Sequence, residues 1–186
     1  MIPLNKIEKA FARRTMPAEV IEPEQYIQFD SDVEDALWFA GKDWHNLIWQ
    51  DWKEHSCAIT FLSRNAFAYY LPSVIFLSLQ NPQDCLDAAD QVIHDLDISP
   101  IVENWTHGVI HHYLGLYPEE YELLKEWLLL ICGFPGYQGV GISASGPGEL
   151  LGRAFDTVDL LQKETERLML MDQNDLPEPH QNWLKR

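Results

Sequence analysis

The chain has 186 residues, 46% of them apolar and 12% aromatic, which suits one compact domain with a sizeable core and excludes wholesale disorder. Thirteen Lys and Arg face 29 Asp and Glu, a formal charge of -16. A surface of that sign repels nucleic-acid phosphates and anionic membranes, so neither is an expected partner.

In chain order, residues 5–14 read as a short helix with Leu4, Ile7 and Phe11 on one side and Pro17 as its stop. Ser31-x-x-Glu34 is a capping-box pattern opening a helix over about 32–41, and Asp43 caps a following turn with Trp44, Leu47, Ile48 and Trp52. A short strand is expected near Ala58–Phe61. Ser63 then precedes a helix over 64–79 that is apolar on nearly all sides, the mark of a central core element, with Pro72 expected to kink it or open a second segment. Asn81-Pro82 has the form of a helix start running to about Leu96, with Asn81 as cap. Pro100 opens an ambiguous helix to Tyr113; Pro118 opens a clear one with acids near its start and Gly133 as a left-handed cap. Residues 133–148 hold six of the ten glycines and form one long loop; 149–171 is a final amphipathic helix. The reading is all-α: a single-domain bundle over 1–172 of about six to eight helices, with a loose tail over 173–186.

Cys57, Cys85 and Cys132 are odd in number, widely spaced and free of any C-x-x-C pair, which excludes a disulfide scaffold and a zinc knuckle. They read as small buried hydrophobes in a reducing compartment. The first fourteen residues lack a signal-like apolar run, and the stretch Leu71–Leu79, broken by Pro72 and two serines, is too short to cross a bilayer. A cytoplasmic protein is the expectation.

Charge is distributed unevenly. From Asn65 to Leu124 there is no Lys or Arg, while Asp84, Asp87, Asp90, Asp95, Asp97, Glu103, Glu119, Glu120 and Glu122 all fall in that window. On a helix after Pro82, Asp84, Asp87, Gln91 and Asp95 share an arc of about 80° opposite Leu86, Ala89, Ile93 and Leu96. This is either a plain solvated face or an anionic docking stripe for a basic partner. A second acidic region includes Asp32 and Asp35 and is interleaved with Trp38, Trp44 and Trp49, with Trp52 following. Aromatic anchors among carboxylates suit Lys- and Arg-rich surfaces. Trp44 and Trp52 read as core.

Chemistry has less support. Glu103, His107 and His111 stand at i, i+4 and i+8, so on one helix a carboxylate and two imidazoles would share a face able to hold zinc or iron. Gly108, however, occupies the place of the glutamate that a metalloprotease helix carries after its first His. Ser143 and Ser145 lack the final glycine of a nucleophile elbow, and nothing marks Cys57 as activated. Gly139-x-Gly141 is followed by Ala144, not a third glycine, and no Gly-Lys-Ser/Thr is present to cradle a nucleotide phosphate. No cofactor is expected.

The segment Phe61-Leu-Ser-Arg-Asn-Ala-Phe-Ala-Tyr-Tyr-Leu-Pro72 resembles the hallmark of a family of small acidic bacterial proteins of unknown function, which usually reads Leu-Thr-Pro-Glu-Ala-Phe-x-Tyr-Tyr-Leu-Pro. Ala66, Phe67, Tyr69, Tyr70, Leu71 and Pro72 match, while Ser63-Arg64-Asn65 replaces Thr-Pro-Glu. Tyr117–Leu128 is similar to that family's later helix. The resemblance implies a helical bacterial cytosolic domain with no known catalytic residues. In size and charge the chain also resembles immunity proteins, which protect bacteria from delivered toxins.

Taken together, these features point to an acidic protein-binding module, an immunity-type protein that occludes the basic active site of a cognate toxin. Asp84, Asp87 and Asp95, with Asp32, Asp35, Trp38 and Trp49, are the expected contacts. The alternatives are a small metal-dependent enzyme using Glu103, His107 and His111, or a cytosolic scaffold or homo-oligomer.

Overall fold

A computed structural model describes residues 1–22, 31–102, 105, 112–138 and 149–171. The fold is all-helical, as the periodicity predicts, with eight α-helices among the described residues. They are α1 (Leu4–Ala10), α2 (Ser31–Leu37), α3 (Trp49–Glu54), α4 (Ala58–Phe61), α5 (Arg64–Gln80), α6 (Asp87–Asp95), α7 (Pro118–Ile131) and α8 (Glu149–Leu170). Single 3-10 turns cover Trp44–Asn46 and Pro135–Tyr137.

α5 is the hub, touching α1, α6, α7 and the Trp44–Asn46 turn. Twelve of its seventeen residues are buried. Ser63 caps it by accepting from the Ala66 amide, and Pro72 is carried within a continuous helix. Two buried serines make this apolar rod compatible with indole neighbours. Ser73 Oγ accepts from Trp52 Nε1 at 2.9 Å and Ser78 Oγ from Trp127 Nε1 at 2.8 Å. Each serine in turn donates to a carbonyl three residues back, so the buried polar atoms are satisfied in series. Tyr70 places its hydroxyl against the Phe39 and Lys42 carbonyls, fixing the loop after α2 onto α5.

α1 runs antiparallel to α7: Lys6 meets Glu126, Arg13 meets Glu119 and Arg14 meets Glu120. α7 and α8 are antiparallel as well, since Tyr121 bonds Thr165 and Lys125 bonds Asp159 and Gln162. Trp44 and Trp52 are core residues, as expected.

Four local expectations fail. Ala58–Phe61 is a helical turn, packed against α2 and α6, not a strand. Asn81-Pro82 opens a turn, and the helix starts only at Asp87. α7 ends at Ile131, and Gly133 is not among the glycines with positive φ, which among the described residues are Gly41 and Gly115. Cys57 and Cys132 are exposed and only Cys85 is partly buried; all three thiols are free.

Candidate interaction surface

The later start of α6 separates the expected aspartate stripe into different environments. Asp84 lies in the turn before the helix, Asp87 opens α6, and Asp95 closes it two turns away. Ala88, Ala89, Val92 and Ile93 form the buried side of α6, so the helix is amphipathic in the expected sense.

Asp84 and Asp87 come together with Trp49. The three line a hollow of about 200 Å3 shared with Lys53, Cys85 and Leu86, at the contact between α3 and α6. Ile48, next to Trp49, is 59% exposed. The turn carrying Asp84 is built by tertiary contacts. The Gly136 amide donates to the Pro82 carbonyl at 3.0 Å, and the Leu86 amide donates to the Tyr137 hydroxyl at 3.2 Å. Gly136 is required here, because a Cβ would sit 2.5 Å from the Asp84 carbonyl carbon. The first residues of the Gly-rich segment therefore brace the acidic rim.

Asp90 follows Asp87 in the first turn of α6. Its Oδ1 is 3.6 Å from His94 Nε2 and has no hydrogen-bond partner among the described residues. Desolvation holds this carboxyl above its ordinary range, against the pull of His94, and Asp87 adds to the shift. Burial, reinforced by Asp90 and Asp87, pushes the Cys85 thiol up to about 12, so it is not an activated nucleophile. Asp95 is less available than its spacing suggests. It is partly buried, accepts from Gln91 Nε2 at 2.8 Å, and desolvation raises its carboxyl above the usual range.

Much of the long cation-free window is neutralised from outside. Arg153 holds Asp97 through two bonds of 2.5 and 3.0 Å, keeping that carboxyl below the usual range. Arg13, Arg14 and Lys125 pair with Glu119, Glu120 and Glu122. What remains of the described window is Asp84, Asp87, Asp90 and Asp95, and among the described residues no Lys or Arg forms an ion pair with any of them.

The second expected region is already engaged within the fold. Asp35 lies 2.8 Å from His55 Nδ1. Trp38 stacks on His55 at 4.4 Å and carries the Lys42 ammonium 3.6 Å from its ring centre. Asp32 sits partly buried in the first turn of α2. The structure thus joins Trp49 to Asp84 and Asp87, and groups Asp35 with Trp38 around His55.

Glu103, His107 and His111 lie outside the described residues, as do the loop over 139–148 and the tail over 172–186. Among the described residues no three His, Cys, Asp or Glu are grouped as a metal would require, and no helix is long and apolar enough to cross a membrane. Sequence reading missed Ile48 as an exposed neighbour of Trp49. The polar residues around it, Asn46 and Gln50, were the available signal. The chain matches no family model, no curated protein and no solved structure.

Proposed function

We propose that this chain is an acidic protein-binding module of the immunity type, which neutralises a toxin by covering its basic active site in the cytoplasm. The observation that supports it is that Asp84 and Asp87, which have no Lys or Arg ion-pair partner among the described residues, line one hollow with Trp49 and Lys53, next to exposed Ile48. Uncompensated carboxylates speed encounter with a cationic surface, while the aromatic and aliphatic groups supply contact area.

The test begins with an untagged pull-down from a lysate of its source at low salt, the captured partner being identified by mass spectrometry. A basic partner whose own activity is inhibited by the purified chain is expected. Asp84→Lys with Asp87→Lys should then weaken that complex at least about tenfold, chiefly through a slower on-rate. Unchanged affinity removes this rim from the interface, and a partner left fully active removes the immunity reading.

A further inference from the structure

The hollow between α3 and α6 has the size and charge of a receptor for one side chain. It measures about 200 Å3. Pockets for drug-sized ligands begin at about 300 Å3, so a cofactor is too large for it. Among the described residues its lining holds two carboxylates, Asp84 and Asp87, and one ammonium, Lys53. The balance is a single negative charge, which one cationic side chain neutralises. Lys53 stands four positions after Trp49 on the same face of α3, and it forms no ion pair with either acid among the described residues.

The walls are set before any ligand arrives. The Ile48 amide donates to the Asp51 carboxylate at 2.8 Å, fixing the start of α3 beside Trp49. Asn81 Nδ2 donates to Asp84 Oδ2 at 2.9 Å, while Asp84 Oδ1 has no partner among the described residues. Asp87 opens α6, and its carboxylate is likewise without a partner among the described residues. Cys85, which shares the lining, registers the sign of the local field: after burial, the charges of Asp90 and Asp87 are what push its thiol up.

Resting on the reading of this face as a docking surface for a basic protein, we propose that the hollow takes one arginine side chain of that partner, its guanidinium set against the Trp49 ring and the Asp84 and Asp87 carboxylates. Arginine fits better than lysine. Its planar, weakly hydrated fork stacks on an aromatic ring and reaches two carboxylates at once, whereas an ammonium is a compact and strongly hydrated point charge. An arginine seated beside a tryptophan is also the kind of contact that dominates interface energies.

The probes are N-acetyl-arginine amide and N-acetyl-lysine amide, titrated into the full chain at matched ionic strength and followed by the Trp49 indole N–H and the Asp84 and Leu86 amide resonances. Saturable shifts with arginine are expected, with affinity at least about threefold above lysine. Asp87→Asn and Trp49→Leu should each weaken arginine binding at least about threefold, and the same spectra report that each variant is folded. Asp156→Asn makes the same charge change at an exposed position of α8 and should bind like the parent. The proposal is overturned by no saturable arginine binding, by lysine binding as tightly, by parent-like binding of both lining variants, or by equal weakening from Asp156→Asn. The probes contain no toxin, so the two readings fail separately. A captured basic partner without arginine binding strikes the anchor alone, and arginine binding without a basic partner strikes the immunity reading alone.

Discussion

Arg14 and Glu120 make the most exacting test of how the acidic window is neutralised. Glu120 is completely enclosed, at 0% exposure. Its Oε1 accepts from Arg14 Nε at 2.6 Å, its Oε2 accepts from Arg14 Nη2, and Oε2 also takes the Tyr117 amide at 2.7 Å. Arg14→Met keeps most of the apolar stem and removes both charge-assisted bonds. The buried carboxylate is then left with one backbone donor. Removing one partner of a buried pair costs about 3–5 kcal/mol. For a chain of this size that corresponds to a fall in Tm of about 6–20 °C.

The measurement is urea unfolding followed by tryptophan fluorescence, read with Glu120→Gln alone and with the double variant. The amide keeps the shape of the carboxylate, so Arg14→Met/Glu120→Gln should recover at least about 2 kcal/mol of the loss. The pH dependence has a definite sign. Burial, the largest influence, already holds the Glu120 carboxyl above its ordinary range despite Arg14. Loss of the guanidinium raises it further, so the folded variant binds a proton more readily than the unfolded chain. Its stability therefore falls as pH rises through that higher value, and the deficit against the parent narrows as pH falls towards 4. A loss below about 1 kcal/mol, the size for an exposed pair, would refute the reasoning, as would a deficit indifferent to pH and to Glu120→Gln.

Ser78→Ala should cost about 1–3 kcal/mol in unfolding free energy, because Trp127 Nε1 is left buried without its acceptor; a loss under about 0.5 kcal/mol would refute it. Asp95→Asn should raise Tm at pH 7, since the desolvated carboxyl has a raised value and its charged form weakens the fold there; the gain should vanish at acid pH, where both side chains are neutral. A gain that grows towards acid pH would contradict that sign. Gly136→Ala should cost about 1–3 kcal/mol in chemical unfolding, because its Cβ meets the Asp84 backbone, and should shift the amide resonances of Asp84 and Leu86; unmoved resonances would detach the Gly-rich segment from the rim.

Helix interiors were readable from the chain because their causes are local. The apolar density of α5, Ser63 at its start, Pro118 at the head of α7 and the stripe of α8 all act within a few turns of themselves. Failures occur where distant residues decide. Ala58–Phe61 has strand-forming side chains, but four residues have no usable period, and packing against α2 and α6 makes them helical. Asn81-Pro82 has good capping chemistry, yet Gly136 and Tyr137 hold the following residues as a turn and delay α6. The same distance hides the charge pairs: Arg14 and Glu120 are 106 positions apart, and Arg153 and Asp97 are 56 apart.

Those distances change what an uneven charge run means. A cation-free stretch along the chain is not a cation-free surface, because α8 and the turn after α1 lay Arg13, Arg14 and Arg153 against it. The acids without a Lys or Arg partner among the described residues include Asp87 and Asp90 in the first turn of α6, where the helix dipole offsets part of their mutual repulsion. Stability alone therefore accounts for tolerating those two. Asp84 stands outside the helix, where its Oδ2 accepts from Asn81 Nδ2 at 2.9 Å, on a turn that Gly136 and Tyr137 brace beside Trp49. The case for a docking surface rests on the grouping of Asp84 and Asp87 with Trp49 in one hollow, and not on the number of acids.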